Sequence, residues 1–178
     1  SCDLNFRSKL WSSEKAKTVM TELCRYVDVC IANEEDVKTV FGIEAKDTDI
    51  YSGKLSVEGY KSVAAQLFEI FNFKKVAFTL RESVSASENK WSGLLCDKDG
   101  SCISKQYNLN IVDRVGGGDS FGAGLIYSFL KGKSNQEAIE FAVAASALKH
   151  SIEGDFNLVS LGEINRLVTG DASGRIRR

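Results

Sequence analysis

A layered α/β fold with a mostly parallel sheet is predicted by three features of the 178-residue sequence. Short apolar runs rich in β-formers alternate with helix-length amphipathic segments. The run Lys75 to Thr79 is centred on Val-Ala-Phe, as in a parallel strand buried on both faces. Three successive helices with their own start and stop signals then close the sequence. With 43% hydrophobic residues, the chain is long enough for one compact core and short for two, so residues 1–178 are read as a single domain.

Cys2 to Phe6 reads as the tail of a strand whose beginning lies outside the sequence. Ser12 and Ser13 can cap a helix of good formers running through Met20 and Leu23, with Trp11 placed to staple its start. A short apolar strand follows at Val27 to Ala32, and a helical stretch begins at Asn33. After the polar loop Lys46 to Lys54, Val57, Tyr60, Val63, Ala64, Leu67, Phe68 and Phe71 recur in steps of three and four and define one buried helix face. Asp99-Gly100 is a turn pair, so Trp91 to Cys96 and Cys102 to Tyr107 are read as an antiparallel hairpin.

The closing helices are expected at about Asp119 to Lys131, Gln136 to His150 and Leu161 to Val168. Ser134 with Glu137 and Ser160 with Glu163 have the spacing of capping boxes, and Gly132 and Gly170 stand where helix-ending glycines belong. The terminal RIRR reads as a frayed, solvated tail.

Composition excludes several classes of function. Lys plus Arg is 23 against Asp plus Glu 24, so no sequence-wide positive charge exists for nucleic acid or a membrane surface. No apolar run approaches the roughly 20 residues of a spanning helix, and the opening lacks the layout of a signal peptide. Five cysteines without a C-x-x-C spacing argue against a disulfide framework and a zinc site, and point to reduced, mostly buried thiols in a cytoplasmic protein. The sequence has no proline, for which there is no physical account.

The chemistry is expected in the run Asp113-Arg114-Val115-Gly116-Gly117-Gly118-Asp119-Ser120. Three glycines ahead of a helix let the backbone turn tightly, and their amides together with the positive helix end can surround an anion, phosphate above all. A carboxylate in that place repels the guest, yet makes sense if it accepts a proton from a hydroxyl attacking the phosphate. The competing reading is a plain tight turn with Asp119 as a helix cap.

A P-loop lacks its Gly-Lys-Ser/Thr ending here, and a dinucleotide loop would open a βαβ unit, whereas only helices follow. Gly118-Asp119-Ser120 has the look of an esterase start with Ser120 as nucleophile. That chemistry needs a histidine base beside an acid, and His150, the only histidine, is preceded by Ala147-Leu148-Lys149. His150 is therefore read as structural or adenine-adjacent.

Asp113 to Gly124, DRVGGGDSFGAG, resembles the C-terminal signature of the ribokinase-like (PfkB) carbohydrate kinases, Asp-Thr-x-Gly-Ala-Gly-Asp, with Arg114 for threonine and Gly117 for alanine. Further similarities come in the family's order. Asn33-Glu34-Glu35-Asp36 is similar to its Asn-x-x-Glu element, with aspartate for glutamate. Asp3-Leu4-Asn5-Phe6-Arg7 is similar to the Asp-x-Asn-x-Arg segment of 2-keto-3-deoxygluconate kinases and fructokinases. Thr79-Leu80-Arg81-Glu82 stands in place of a strand-end nucleotide loop, with Arg81 where glycine is usual. The alanine-rich helix Phe141 to His150 resembles the element along the adenine.

The resemblance implies a ribokinase-like three-layer fold of which the N-terminal part and lid are missing, and ATP-dependent phosphorylation of a sugar or sugar acid hydroxyl with magnesium. It implies Asp119 as general base with the Gly116, Gly117 and Gly118 amides as anion hole, and nucleotide contacts at Asn5, Asn33, Thr79, Arg81, Gly116, Gly118, Val143, Ser146 and His150. Asn33 and Asp36 are implied as an indirect magnesium and phosphate element. Arg7 would meet the substrate, and since an arginine fork suits a carboxylate, 2-keto-3-deoxygluconate is favoured over a neutral sugar. Fructokinase or ribokinase specificity, and a nucleotide-binding chain without catalysis, remain open. A full-length enzyme is expected to be a homo-oligomer, and a truncated sheet to associate through exposed apolar surface.

Overall fold

The structure, a computed structural model, describes residues 1–45, 56–85 and 88–170. The loop Lys46 to Lys54 and the terminal RIRR lie outside the described residues. The chain forms two compact units, Ser1–Leu80 with Gly93–Cys102, and Arg81–Ser92 with Ile103–Arg178.

The first unit is a sheet with helices, its strands ordered β1-β2-β3-β4-β5. Strand β1 is Cys2–Asp3, β2 is Val29–Ala32, β3 begins at Lys75 and runs to Ser83, β4 spans Glu88–Cys96 and β5 spans Ser101–Ile103. Pairing of β1 with β2 (Cys2 opposite Cys30) and of β2 with β3 (Cys30 opposite Val76) is parallel. The helices supply the crossovers that parallel pairing requires: α1 (Ser13–Leu23) joins β1 to β2, while α2 (Glu34–Phe41) and α3 (Val57–Ile70) join β2 to β3.

Ser12 caps α1 by accepting from the Lys15 amide at 3.3 Å, and Ser56 caps α3 through the Gly59 amide at 3.1 Å. Gly42, with φ of 71°, ends α2 in the left-handed conformation that glycine adopts without steric cost. The periodic face of α3 is buried as predicted: Tyr60, Val63, Ala64, Leu67 and Phe71 pack with Val37, Val40, Phe73 and Phe78 in one core, and Phe68 lies at its margin.

The hairpin turn forms at Asp97 to Gly100. The Asp97 amide donates to the Gly100 carbonyl at 2.9 Å, and the Asp97 carboxylate accepts from the Asp99 and Gly100 amides. The predicted second arm, Cys102 to Tyr107, is corrected: β5 stops at Ile103 and a separate strand β6 spans Tyr107–Asn110. Between them the Lys105 amide leaves the ladder for the Glu140 carboxylate at 3.1 Å, while the Ser104 hydroxyl donates to the Lys105 carbonyl at 2.7 Å.

In the second unit β6 pairs antiparallel with the start of β4, Glu88 opposite Asn110 and Trp91 opposite Tyr107. Three helices follow, α4 (Gly117–Leu130), α5 (Asn135–Lys149) and α6 (Leu161–Thr169), the last two opened by the predicted capping boxes of Ser134 with Glu137 and Ser160 with Glu163. Helices α4 and α5 touch through small residues: a Cβ on Gly124 would stand 2.7 Å from the Ala142 Cα. Helix α6 buries Ile164 against Phe141, Ala144 and Ala145, a contribution of about 1.5–3 kcal/mol for one large aliphatic side chain.

Candidate functional site

The glycine run folds into a turn held from both sides. Ahead of it, the Val112 and Asp113 amides donate to the His150 carbonyl at 2.8 and 3.3 Å. The Asp113 carboxylate then accepts from the Val115 amide at 3.0 Å and the Gly154 amide at 2.9 Å. These amide bonds, aided by the Lys149 charge, hold the Asp113 carboxyl below the usual carboxylate range. Its role is to tie the turn to the loop after α5.

Two of the three glycines are dictated by space. Gly116 is the N-cap of α4 with φ of 77°, and a Cβ there would stand 2.1 Å from the Asp155 carbonyl oxygen. Any L-residue would meet both a left-handed backbone and a clash. A Cβ on Gly117 would fall 2.6 Å from the His150 ring. The Gly117 amide donates to the Arg114 carbonyl at 3.2 Å and its carbonyl accepts from the Ser146 hydroxyl at 2.7 Å. Among the described residues, the amides of Gly118 and Asp119 donate to nothing. They are orphan donors of the first helical turn, where the helix dipole favours an anion.

Asp119 is exposed in that same turn, and its carboxylate accepts no hydrogen bond among the described residues. The plain capping reading is therefore corrected: the N-cap is Gly116, without a side-chain cap bond, and the carboxylate stands free for a ligand.

His150 is buried, its ring tilted against Trp91 with centroids 4.9 Å apart. Nδ1 lies 2.7 Å from the Ser146 carbonyl, so Nδ1 carries the proton and Nε2 is left as an acceptor. Burial, reinforced by the positive charges of Lys149, Arg114 and Arg81, lowers its pKa against the opposing effect of the Ser146 hydrogen bond. Val143 and Ser146 are fully buried on α5. Ser146 thus reaches the turn by hydrogen bond, whereas Val143 is buried and has no polar side-chain atom to offer. Arg81 is exposed at the end of β3 and acts on His150 only through charge.

The other predicted residues belong to the first unit. Asn33 caps α2, its carbonyl accepting from the Asp36 amide at 2.8 Å and its side-chain amide donating to the Asp36 carboxylate at 2.9 Å. Burial raises the Asp36 pKa, opposed by the Phe6 amide and the Arg7 charge. Arg7 is exposed, its charge acts on Asp36, and its guanidinium donates to the Phe6 carbonyl at 2.9 Å. Asn5 holds a φ of 36°, a conformation uncommon outside glycine that concentrates at ligand-binding positions. Thr79 is half-buried on β3.

No group of three His, Cys, Asp or Glu side chains among the described residues could hold a metal ion. Asn33 and Asp36 satisfy one another and do not fit a direct magnesium cage.

Two further residues build the turn: Asp113, which stands in the motif without a role of its own, and Lys149, the neighbour of the histidine. The signal for Lys149 was available: it is a lysine on a helix whose other residues from Phe141 to Ala147 are all small or apolar.

The glycine turn ahead of α4 is thus bound on both sides, with the Gly118 and Asp119 amides and the Asp119 carboxylate unbonded among the described residues. The chain belongs to the pfkB family of carbohydrate kinases, which it matches over residues 1–157. It is 27% identical to the 2-dehydro-3-deoxygalactonokinase of Haloferax volcanii over 173 residues, 97% of this chain and 48% of that protein. The crystal structure of a 2-dehydro-3-deoxygluconokinase from Thermotoga maritima is 46% identical, with a TM-score of 0.88 over 95% of this chain and 49% of that one. The fold extends to an Arabidopsis thaliana ribokinase solved with ribose and ATP, 21% identical, with a TM-score of 0.59 over 83% of this chain and 43% of that one. The ribokinase-like α/β architecture predicted from the sequence is thus borne out. The chain spans about half the length of these relatives.

Proposed function

We propose that this chain carries the phosphoryl-transfer side of a kinase that moves the γ-phosphoryl group of ATP to a sugar acid hydroxyl. The observation that supports it best is the exposed, unbonded Asp119 carboxylate in the same helical turn as the free Gly118 and Asp119 amides.

Asp119 takes the proton of the substrate hydroxyl as that oxygen bonds to the γ-phosphorus. The bond from phosphorus to the bridging oxygen breaks, and its electron pair leaves with ADP. Gly116 and Gly117 shape the turn, and the amides of Gly118 and Asp119 receive charge on the transferred group. Magnesium supplies charge neutralisation on the phosphates when bound. Arg81, Val143, Ser146 and His150 serve the nucleotide side: His150 and Ser146 by fixing the turn, Arg81 by charge. In the first unit, Arg7 binds the substrate carboxylate, Asn5 and Thr79 contact the nucleotide, and Asn33 with Asp36 orders water around magnesium and phosphate.

The substrate to test first is 2-keto-3-deoxygluconate, the sugar acid named for the Thermotoga kinase, because an exposed arginine fork at Arg7 suits a carboxylate. In a polypeptide of the relatives' full length carrying these residues, Asp119→Asn should lower turnover by about 10² to 10⁴-fold while ATP affinity is retained. Unchanged turnover would remove Asp119 from the role of base. A second reading, nucleotide binding without turnover, is supported by the free Gly118 and Asp119 amides, which can receive phosphate whether or not Asp119 acts as a base. Calorimetry with ATP and magnesium, followed by a coupled assay across sugar acids, hexoses and ribose, separates the two.

A further inference from the structure

Lys149 is the last residue of α5 and is completely buried. Its ammonium donates to the Ile152 carbonyl at 3.0 Å and makes no ion pair among the described residues. An ammonium has three donors, and taking it out of water without a directly paired carboxylate is costly; the Asp113 carboxylate feels its charge without pairing with it. The chain nevertheless places it beneath the glycine turn: its Cε lies 3.2 Å from the point where a Cβ on Gly116 would stand. The flanking segments are tied to the same spot, Asp113 to Gly154 by hydrogen bond and Val112 to the carbonyl of His150, the next residue. The proposed transfer step leaves this charge unused.

The geometry points to Lys149 as a positioning residue, a buried positive charge that fixes the turn and adds its field to the Gly118 and Asp119 amides, so that phosphate groups are held there. This inference rests on the kinase reading above. The lysine touches no ligand. It acts on the turn through Gly116 and Asp113, and its field is little screened because the group is out of water. The negative carboxylate of Asp119 in the first turn makes such a compensating charge useful, since without it a polyphosphate would meet repulsion at the helix start.

The test uses the 178-residue chain and two probes, inorganic tripolyphosphate and adenosine, with the amide NMR signals of Gly118 and Asp119 as readout for the first and the calorimetric dissociation constant for both. Lys149→Met removes the charge and keeps the side-chain length. Lys149→Gln keeps a donor for the Ile152 carbonyl and serves if the methionine variant does not fold. The expected result is tripolyphosphate binding weakened about tenfold, adenosine binding within twofold of wild type, and tripolyphosphate binding restored by Lys149→Arg. Equal loss of both probes would show a merely structural lysine and overturn the inference, as would unchanged tripolyphosphate binding. A wild-type chain that responds to neither probe would overturn the kinase reading itself, and the inference with it.

Discussion

His150 joins three things in one side chain: the Ser146 carbonyl at Nδ1, the Trp91 ring on its face and the Gly117 backbone at its edge. Its pH behaviour follows from burial. The folded pKa lies below the ordinary value of about 6.5, so the neutral ring contributes stability that is present above pH ~6.5 and lost as pH falls through the depressed folded value. The lowered carboxylates Asp113, Glu137 and Glu163 lose their contributions only as pH falls through the carboxylate range and below, while the raised Asp36 acts in the opposite direction and equally in wild type and a His150 variant. Between pH 7 and pH 5 the melting temperature should therefore fall in the wild type, and fall less in His150→Gln, whose amide can still donate to Ser146. Parallel slopes in a calorimetric pH series would remove His150 as the cause. At this scale the sequence was legible where a residue type has one physical use: three glycines before a helix announced a turn. It could not show that Gly116 answers to the Asp155 carbonyl and Gly117 to a histidine 33 positions later, because those contacts are long-range.

Element ends were legible wherever a side chain caps its own helix, since such bonds are local. Ser12, Ser134 and Ser160 cap as the spacing predicts, Asn33 opens its helix at the expected place and caps it, and Ser56, which the sequence pattern does not single out, caps α3. Strand β6 and the first half of β4 were not, because Glu88, Asn89, Lys90, Asn108 and Asn110 are polar and become strand only by pairing with one another. The joint between α4 and α5 is likewise written in residues without a strong pattern. Gly124 allows its helix to approach the Ala142 backbone so closely that Gly124→Ala would push a methyl to 2.7 Å from the Ala142 Cα. The neighbour there is main chain, which cannot rotate aside, so the helices must separate. The higher helix propensity of alanine, up to about 1 kcal/mol, is outweighed by overpacking of about 1–3 kcal/mol. Urea unfolding should show a net loss of stability, and a neutral or stabilised Gly124→Ala would mean that the two helices are not in close register.

For the whole molecule, the decisive quantity is how much of a kinase 178 residues can supply. The chain spans about half the length of the relatives it matches, and it contains the glycine turn, its free amides and Asp119. General-base help alone is worth about 10² to 10⁴-fold, whereas the larger share of a phosphoryl-transfer rate comes from positioning both reactants and excluding water. On the proposed reading the turn, with its two free amides and one buried lysine, attracts a polyphosphate, but an exposed Asp119 would leave any acceptor hydroxyl in competition with water. The 178-residue chain alone is therefore expected to bind ATP weakly and to phosphorylate 2-keto-3-deoxygluconate at a small fraction of the rate of a polypeptide of the relatives' full length carrying the same residues. A coupled assay on the two polypeptides at equal concentration reads the ratio directly. Equal rates would show that these residues hold a complete active centre, and would place the sugar-binding groups around Arg7 and Asp119.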